Sequence, residues 1–140
     1  MRPPAAHRDP RSGCPISIAL ELLGDAWSLL IVRDLMFKDR RTYNDFLTGG
    51  EGIASNILAD RLRKLEDANI IEKRRDASDA RRFVYRLSPK GIDLAPVLVE
   101  LVVWSARHEH TDAPAAVVRM MRTDRETFLA DVRRRWRSTT

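Results

Sequence analysis

Ser55, Asn56, Ala59, Asp60, Arg63 and Lys64 gather small hydrogen-bonding groups and cations in one short stretch. Such side chains can read a nucleic-acid duplex. Asn pairs bidentately with adenine, Arg takes guanine or a phosphate, and Asp accepts from the amino group of cytosine. Asp60 has a second use here, orienting Arg63 or Lys64 at neighbouring helical positions. A further set of cations follows at Lys73, Arg74, Arg75, Arg81 and Arg82, with Asp76 and Asp79 among them. Cations of this kind bind phosphate without regard to sequence. Arg75, Arg81 and Arg82, with Thr42 upstream, complete the candidate DNA contacts. Taken singly, each set has a plainer reading: a wet amphipathic helix, and a hairpin laced by cross-strand ion pairs. Their order along the chain carries the stronger one.

Other chemistry is sparse. Cys14, the only cysteine, precedes Pro15 at the start of an apolar segment. A thiol near a helix N-terminus can ionise readily, which makes Cys14 a candidate redox sensor, with an inert cysteine as the alternative. His108 and His110 flank Glu109 without a cysteine cluster, and His7 stands apart, so no metal site is expected. There is no glycine-rich phosphate loop and no nucleophile motif, and no acid pair has a catalytic context. The chain does not read as an enzyme, and no cofactor is expected.

The elements that must position these residues follow from periodicity. Ile53, Ile57, Leu58, Leu62 and Leu65 recur at helical spacing and predict a recognition helix over about 53–66. Two strands, 70–75 and 82–87, flank a polar loop, giving a wing over about 74–83. Upstream, Pro15 to Leu23 reads as a helix ending at Gly24, and Asp25 caps a second helix from Ala26 to about Phe37. Most of the stripe Trp27, Leu30, Ile31, Asp34 and Leu35 is expected in the core. Thr42 with Asp45 forms a capping box for a short helix to Leu47, and three glycines in 48–52 make the turn. A short helix, a glycine turn and an amphipathic helix amount to a helix-turn-helix.

Ser88-Pro89 starts another helix, with Gly91 placed early at some cost and Pro96 marking a kink or a late start. Its apolar residues, Leu94, Val97, Leu98, Leu101, Val102 and Trp104, are too dense for one small core. With Ile16, Phe128 and Trp136 they are the candidate dimer interface, extra packing within the monomer being the plainer option. Ala115 to Met121 reads as a buried helix, and Thr123 to Glu126 as a capping box before a last helix ending in arginines.

At 140 residues, 44% hydrophobic and 32% charged, the chain suits a folded, helix-rich protein. No apolar run approaches the roughly 20 residues of a membrane span, and a lone cysteine suits a cytoplasmic setting. A net charge of +5 favours polyanionic partners. The expected architecture is mostly α with a small β-ribbon: a winged helix-turn-helix with additional C-terminal dimerisation helices. Residues 1–13 form a flexible arm, 14–91 the DNA-binding domain and 92–140 the dimerisation helices.

From Cys14 to Trp104 the sequence resembles the HxlR family of bacterial winged-helix regulators. The resemblance is carried by Cys14-Pro15, by Gly24 with Trp27 to Leu35, by the run Gly52 to Glu66, and by Tyr85 to Gly91. It implies a homodimeric transcription factor on a two-fold symmetric operator, with double-stranded DNA as its partner. In some relatives the cysteine matching Cys14 senses oxidants or electrophiles, so the resemblance also implies a small-molecule or oxidant effector. The tail from Pro114 to Thr140 is longer than the short form of the family and widens the interface or adds a ligand pocket. A winged-helix interaction module without DNA binding is the alternative function.

Overall fold

The computed structural model describes residues 9–139. The chain divides into two compact units, one ending at Gly91 and the other starting at Ile92. The first holds α1 (Pro15–Leu23), α2 (Ser28–Phe37), α3 (Tyr43–Leu47), α4 (Ser55–Asp67), β1 (Ile71–Arg75) and β2 (Phe83–Leu87). A short turn, α5 (Pro89–Ile92), spans the boundary, and the second unit continues with α6 (Ala95–His108), α7 (Ala115–Thr123) and α8 (Arg125–Arg137). The architecture is mostly helical with one two-stranded antiparallel sheet, as the sequence led us to expect.

In the first unit the core is built on α4. Leu58, Leu62 and Leu65, spaced by one helical turn, are at most 3% exposed. Burying each contributes about 1.5–3 kcal/mol. Around them stand Ile31 and Val32 of α2, Phe46 of α3, Ile53, Ile70, and Ile71, Tyr85 and Leu87 of the ribbon, all buried. In α2 the buried side is Ser28, Ile31, Val32 and Asp34, whereas Trp27, Leu30 and Leu35 are only half-buried. The core face is thus rotated toward Val32 relative to the expected stripe.

Local chemistry explains the boundaries. Asp25 accepts from the backbone N–H groups of Trp27 and Ser28, at 2.8 and 2.9 Å, and from the Ser28 hydroxyl. It therefore starts α2 at Ser28, two residues later than expected from Ala26. The Thr42–Asp45 capping box forms as read from the sequence. Gly50 and Gly52 take positive φ of 99° and 74° and reverse the chain before α4. Ile53 is buried in this connection, so α4 begins at Ser55 and not at 53. It stops where Asn69 turns left-handed, at φ 61°, and Ile70 N–H donates back to Leu65 O at 2.9 Å.

The ribbon pairs Ile71 with Leu87 and Arg75 with Phe83. Before α3, Arg41 O accepts from Tyr85 N–H at 2.8 Å, laying that segment beside β2. Ser88 is fully buried, and its hydroxyl lies within reach of the Asn69 and Ile70 carbonyls while accepting from Gly91 N–H. Gly91 carries no avoidable cost: a Cβ there would lie 2.2 Å from Ile70 O, so the close approach requires glycine.

In the second unit α6 starts late, with Pro96 in its first turn. Val99, Val103 and Met121 form a core against which Val102, Phe128 and Leu129 pack. Two expectations fail here. Within α7 only Met121 is buried, so that helix is largely exposed. The capping box at Thr123 does not form, because Thr123 still belongs to α7 and its hydroxyl donates to Arg119 O. Among the described residues no single helix is long and apolar enough to cross a membrane; α1 and α2 meet the length and composition only as a pair bent by 81°.

Candidate nucleic-acid interface

Burial of Leu58, Leu62 and Leu65 turns the opposite side of α4 to solvent. Ser55, Asn56, Ala59, Arg63 and Lys64 are exposed and Asp60 is partly so. At the leading end the N-cap is Ala54, which offers no side-chain acceptor, so no cap competes for the first-turn N–H groups. The Tyr43 hydroxyl donates to Ser55 O at 2.9 Å and ties α3 to that same turn. This tyrosine was not picked out from the sequence; its position at the start of α3 gives no hint of a partner twelve residues on.

The cations of α4 form a connected cluster. Asp60 Oδ1 accepts from Arg63 Nη2 at 3.0 Å, and Lys64 Nζ lies 3.3 Å from Asp60 Oδ2. Arg61, also unnoticed in the sequence, donates to Asp60 and places its Nε 3.1 Å from Asp25 Oδ1. Burial pushes the Asp60 carboxyl upward. The Lys64 hydrogen bond and charge, with Arg61 and Arg63, outweigh that and hold it below the ordinary value. It stays ionised at neutral pH.

In the wing the cations divide into those that brace the ribbon and those paired with acids of the loop. Arg75 Nη1 donates to Ala80 O at 2.6 Å while its guanidinium and the Lys73 ammonium lie over the Phe83 ring. Arg82 pairs with Asp76, whose carboxyl is lowered to about 2 by hydrogen bonds from Ser78 N–H and then from Arg82. Arg81 pairs loosely with Asp79 at 3.2 Å and is 92% exposed, making it the outermost of these. Thr42 has its side chain committed to Asp45 N–H. Asp34, 5% exposed, is held by Arg33 and Arg40, and Arg33 reaches on to Glu51 beside the glycine turn.

The helix-turn-helix of α3 and α4 is followed by the β1–β2 ribbon, and the model of the HxlR-like helix-turn-helix family matches residues 22–113, well over half of the chain. The chain belongs to the HxlR-like helix-turn-helix family. Among its relatives is an uncharacterised HTH-type transcriptional regulator of Mycobacterium tuberculosis, 37% identical over 92 residues, which are 66% of this chain and 57% of that protein. The chain thus matches little more than half of that relative's length. The HTH-type transcriptional regulator YodB of Bacillus subtilis is 31% identical over 93 residues, covering 66% of this chain and 82% of its own. The reduced form of YodB superposes with a TM-score of 0.58 at 29% identity, covering 69% of this chain and 95% of that one. The crystal structure of PA1607 superposes with a TM-score of 0.67 at 33% identity, covering 75% of this chain and 72% of that one. These relatives of the HxlR-like chain are transcriptional regulators by name.

The remaining expected site residues belong to other elements. Cys14 is exposed at the N-cap of α1, its N–H donating to Ser12 Oγ at 3.3 Å. Of the expected arm, residues 1–8 with His7 fall outside the described residues, while Arg11 N–H donates to Glu21 of α1 at 2.9 Å. Ile16 on α1 is 71% exposed, and α1 buries no residue at all. In the second unit Val97, Leu101 and Trp104 are exposed, Leu94, Val102, Phe128 and Trp136 are partly buried, and Leu98 is buried.

Proposed function

We propose that this chain is a homodimeric, sequence-specific DNA-binding transcriptional regulator, with α4 in the major groove and the ribbon tip on flanking phosphate. The observation that carries the reading is the division of α4 into a leucine side sunk in the core and an exposed side bearing Ser55, Asn56, Ala59, Arg63 and Lys64. In helix-turn-helix docking the N-terminal residues of the second helix meet the base edges, which is where Ser55 and Asn56 stand. An uncapped helix start beside them suits a phosphate. Each unit offers exposed apolar side chains to a partner copy: Ile16 and Leu20 on α1 in the first, and Val97, Leu101 and Trp104 on α6 in the second.

Control by oxidants or electrophiles through Cys14 is the regulatory part of the proposal. It is supported by the exposure of that thiol at a helix start and by YodB, whose structures include reduced, quinone-bound and diamide-treated forms. A second reading, a protein-interaction module, is favoured by the pairing of Arg63, Lys64, Arg81 and Arg82 with acids of this same chain.

Selection of bound duplexes from a random pool separates the two. A regulator enriches an inverted repeat whose half-sites lie about one helical turn, or a multiple, apart. An unenriched pool leaves the interaction module.

A further inference from the structure

Asp60 is an anomaly on a surface meant for phosphate. It shares its carboxylate among Arg61, Arg63 and Lys64, and only the last two are well exposed, at 58% and 66%. Arg61 is 20% exposed and turns the other way, to Asp25 at the start of α2. The carboxylate is thus fixed from behind by a half-sunk guanidinium, while its outward side neutralises the two cations that a duplex would meet first.

We propose that Asp60, positioned by Arg61, is the specificity-determining counter-charge of α4, holding Arg63 and Lys64 away from DNA of arbitrary sequence. The inference rests on the DNA-binding reading above. Non-specific affinity is almost wholly phosphate neutralisation by cations. For Arg63 or Lys64 to reach a phosphate, it must leave Asp60, and the carboxylate is then exposed to the same field of negative charge. One class of site relieves this: a base pair presenting an exocyclic amino group, cytosine N4 or adenine N6, which donates to the carboxylate as the cations depart. Asp60 thus penalises every duplex lacking an amino group at that step.

Ion pairs three and four residues apart also stabilise an isolated helix, and the test must separate that role. Wild type, Asp60→Asn and Asp60→Ala are titrated by fluorescence anisotropy against the selected duplex and a scrambled one over a salt series, with thermal melts alongside. Both variants are expected to bind the scrambled duplex about tenfold more tightly. Their log–log salt dependence is expected to steepen by roughly one to two, one for each cation released. The preference for the selected duplex narrows accordingly. Unchanged affinity and slope on scrambled DNA, even with a lowered melting temperature, overturn the proposal and leave Asp60 a helix-stabilising residue. Loss confined to the selected duplex also overturns it, since that is a base contact alone. A wild type that does not distinguish the two duplexes overturns the regulator reading itself, whatever the variants do.

Discussion

Arg61 Nε lies 3.1 Å from Asp25 Oδ1, so α4 is tied to the residue that starts α2. One carboxylate accepts from the N–H groups of Trp27 and Ser28 at the start of α2 and anchors the guanidinium that steadies Asp60. Replacing Asp25 with alanine removes the acceptor for two N–H groups and should cost about 1–2 kcal/mol in urea unfolding. The effect depends on pH. Burial works against ionisation of Asp25, but the Ser28 hydroxyl, the Trp27 and Ser28 N–H groups and Arg61 outweigh it and bring the carboxyl from 3.8 to about 2. With a folded value below the unfolded one, its stabilisation is complete above about 3.8 and disappears as pH falls through about 2. Stability of Asp25→Asn should therefore change less than that of wild type across this window.

Gly91→Ala should destabilise the first unit by roughly 2–3 kcal/mol, because the new methyl meets a backbone carbonyl, Ile70 O, that cannot swing aside. Lys90→Ala, one residue earlier, loses only an exposed hydrogen bond to Ala68 O and should melt near wild type.

Leu101 and Trp104 are 44% and 57% exposed on α6. Light scattering should show a dimer for wild type and a shift to monomer for Leu101→Asp. Monomeric wild-type protein at the same concentration contradicts the assignment of that surface.

At the wing tip, Arg81→Ala should lower the salt slope of DNA binding by about one and leave the melting temperature unchanged, as removal of a single phosphate contact does. Arg75 braces the loop through Ala80 O and Phe83, so Arg75→Ala should also lower the melting temperature.

Much of this was legible in the chain. The spacing of Leu58, Leu62 and Leu65 identified the buried side of α4, and Thr42 with Asp45 fixed the start of α3, because both signals are local. What escaped depends on residues distant in sequence. Ile53 fits the helical period, yet it is buried just outside α4 by the glycine turn. The ion pair between Arg61 and Asp25 requires α4 to lie beside the start of α2, which no spacing encodes. Thr123 satisfied a capping pattern and lost to its membership of α7. In the wing, the sequence favoured Arg81 and Arg82 over Arg75 for phosphate; the loop geometry makes Arg75 a brace, pairs Arg82 with Asp76 and leaves Arg81 outermost.

The measurement closest to the centre of the account is the affinity of Asn56→Ala for the selected duplex, compared with its affinity for a scrambled one. If the leading end of α4 reads bases, the variant loses about 1–3 kcal/mol on the selected duplex alone, with its salt slope unchanged. Equal affinity of variant and wild type for the selected duplex would contradict the placement of α4 in the groove.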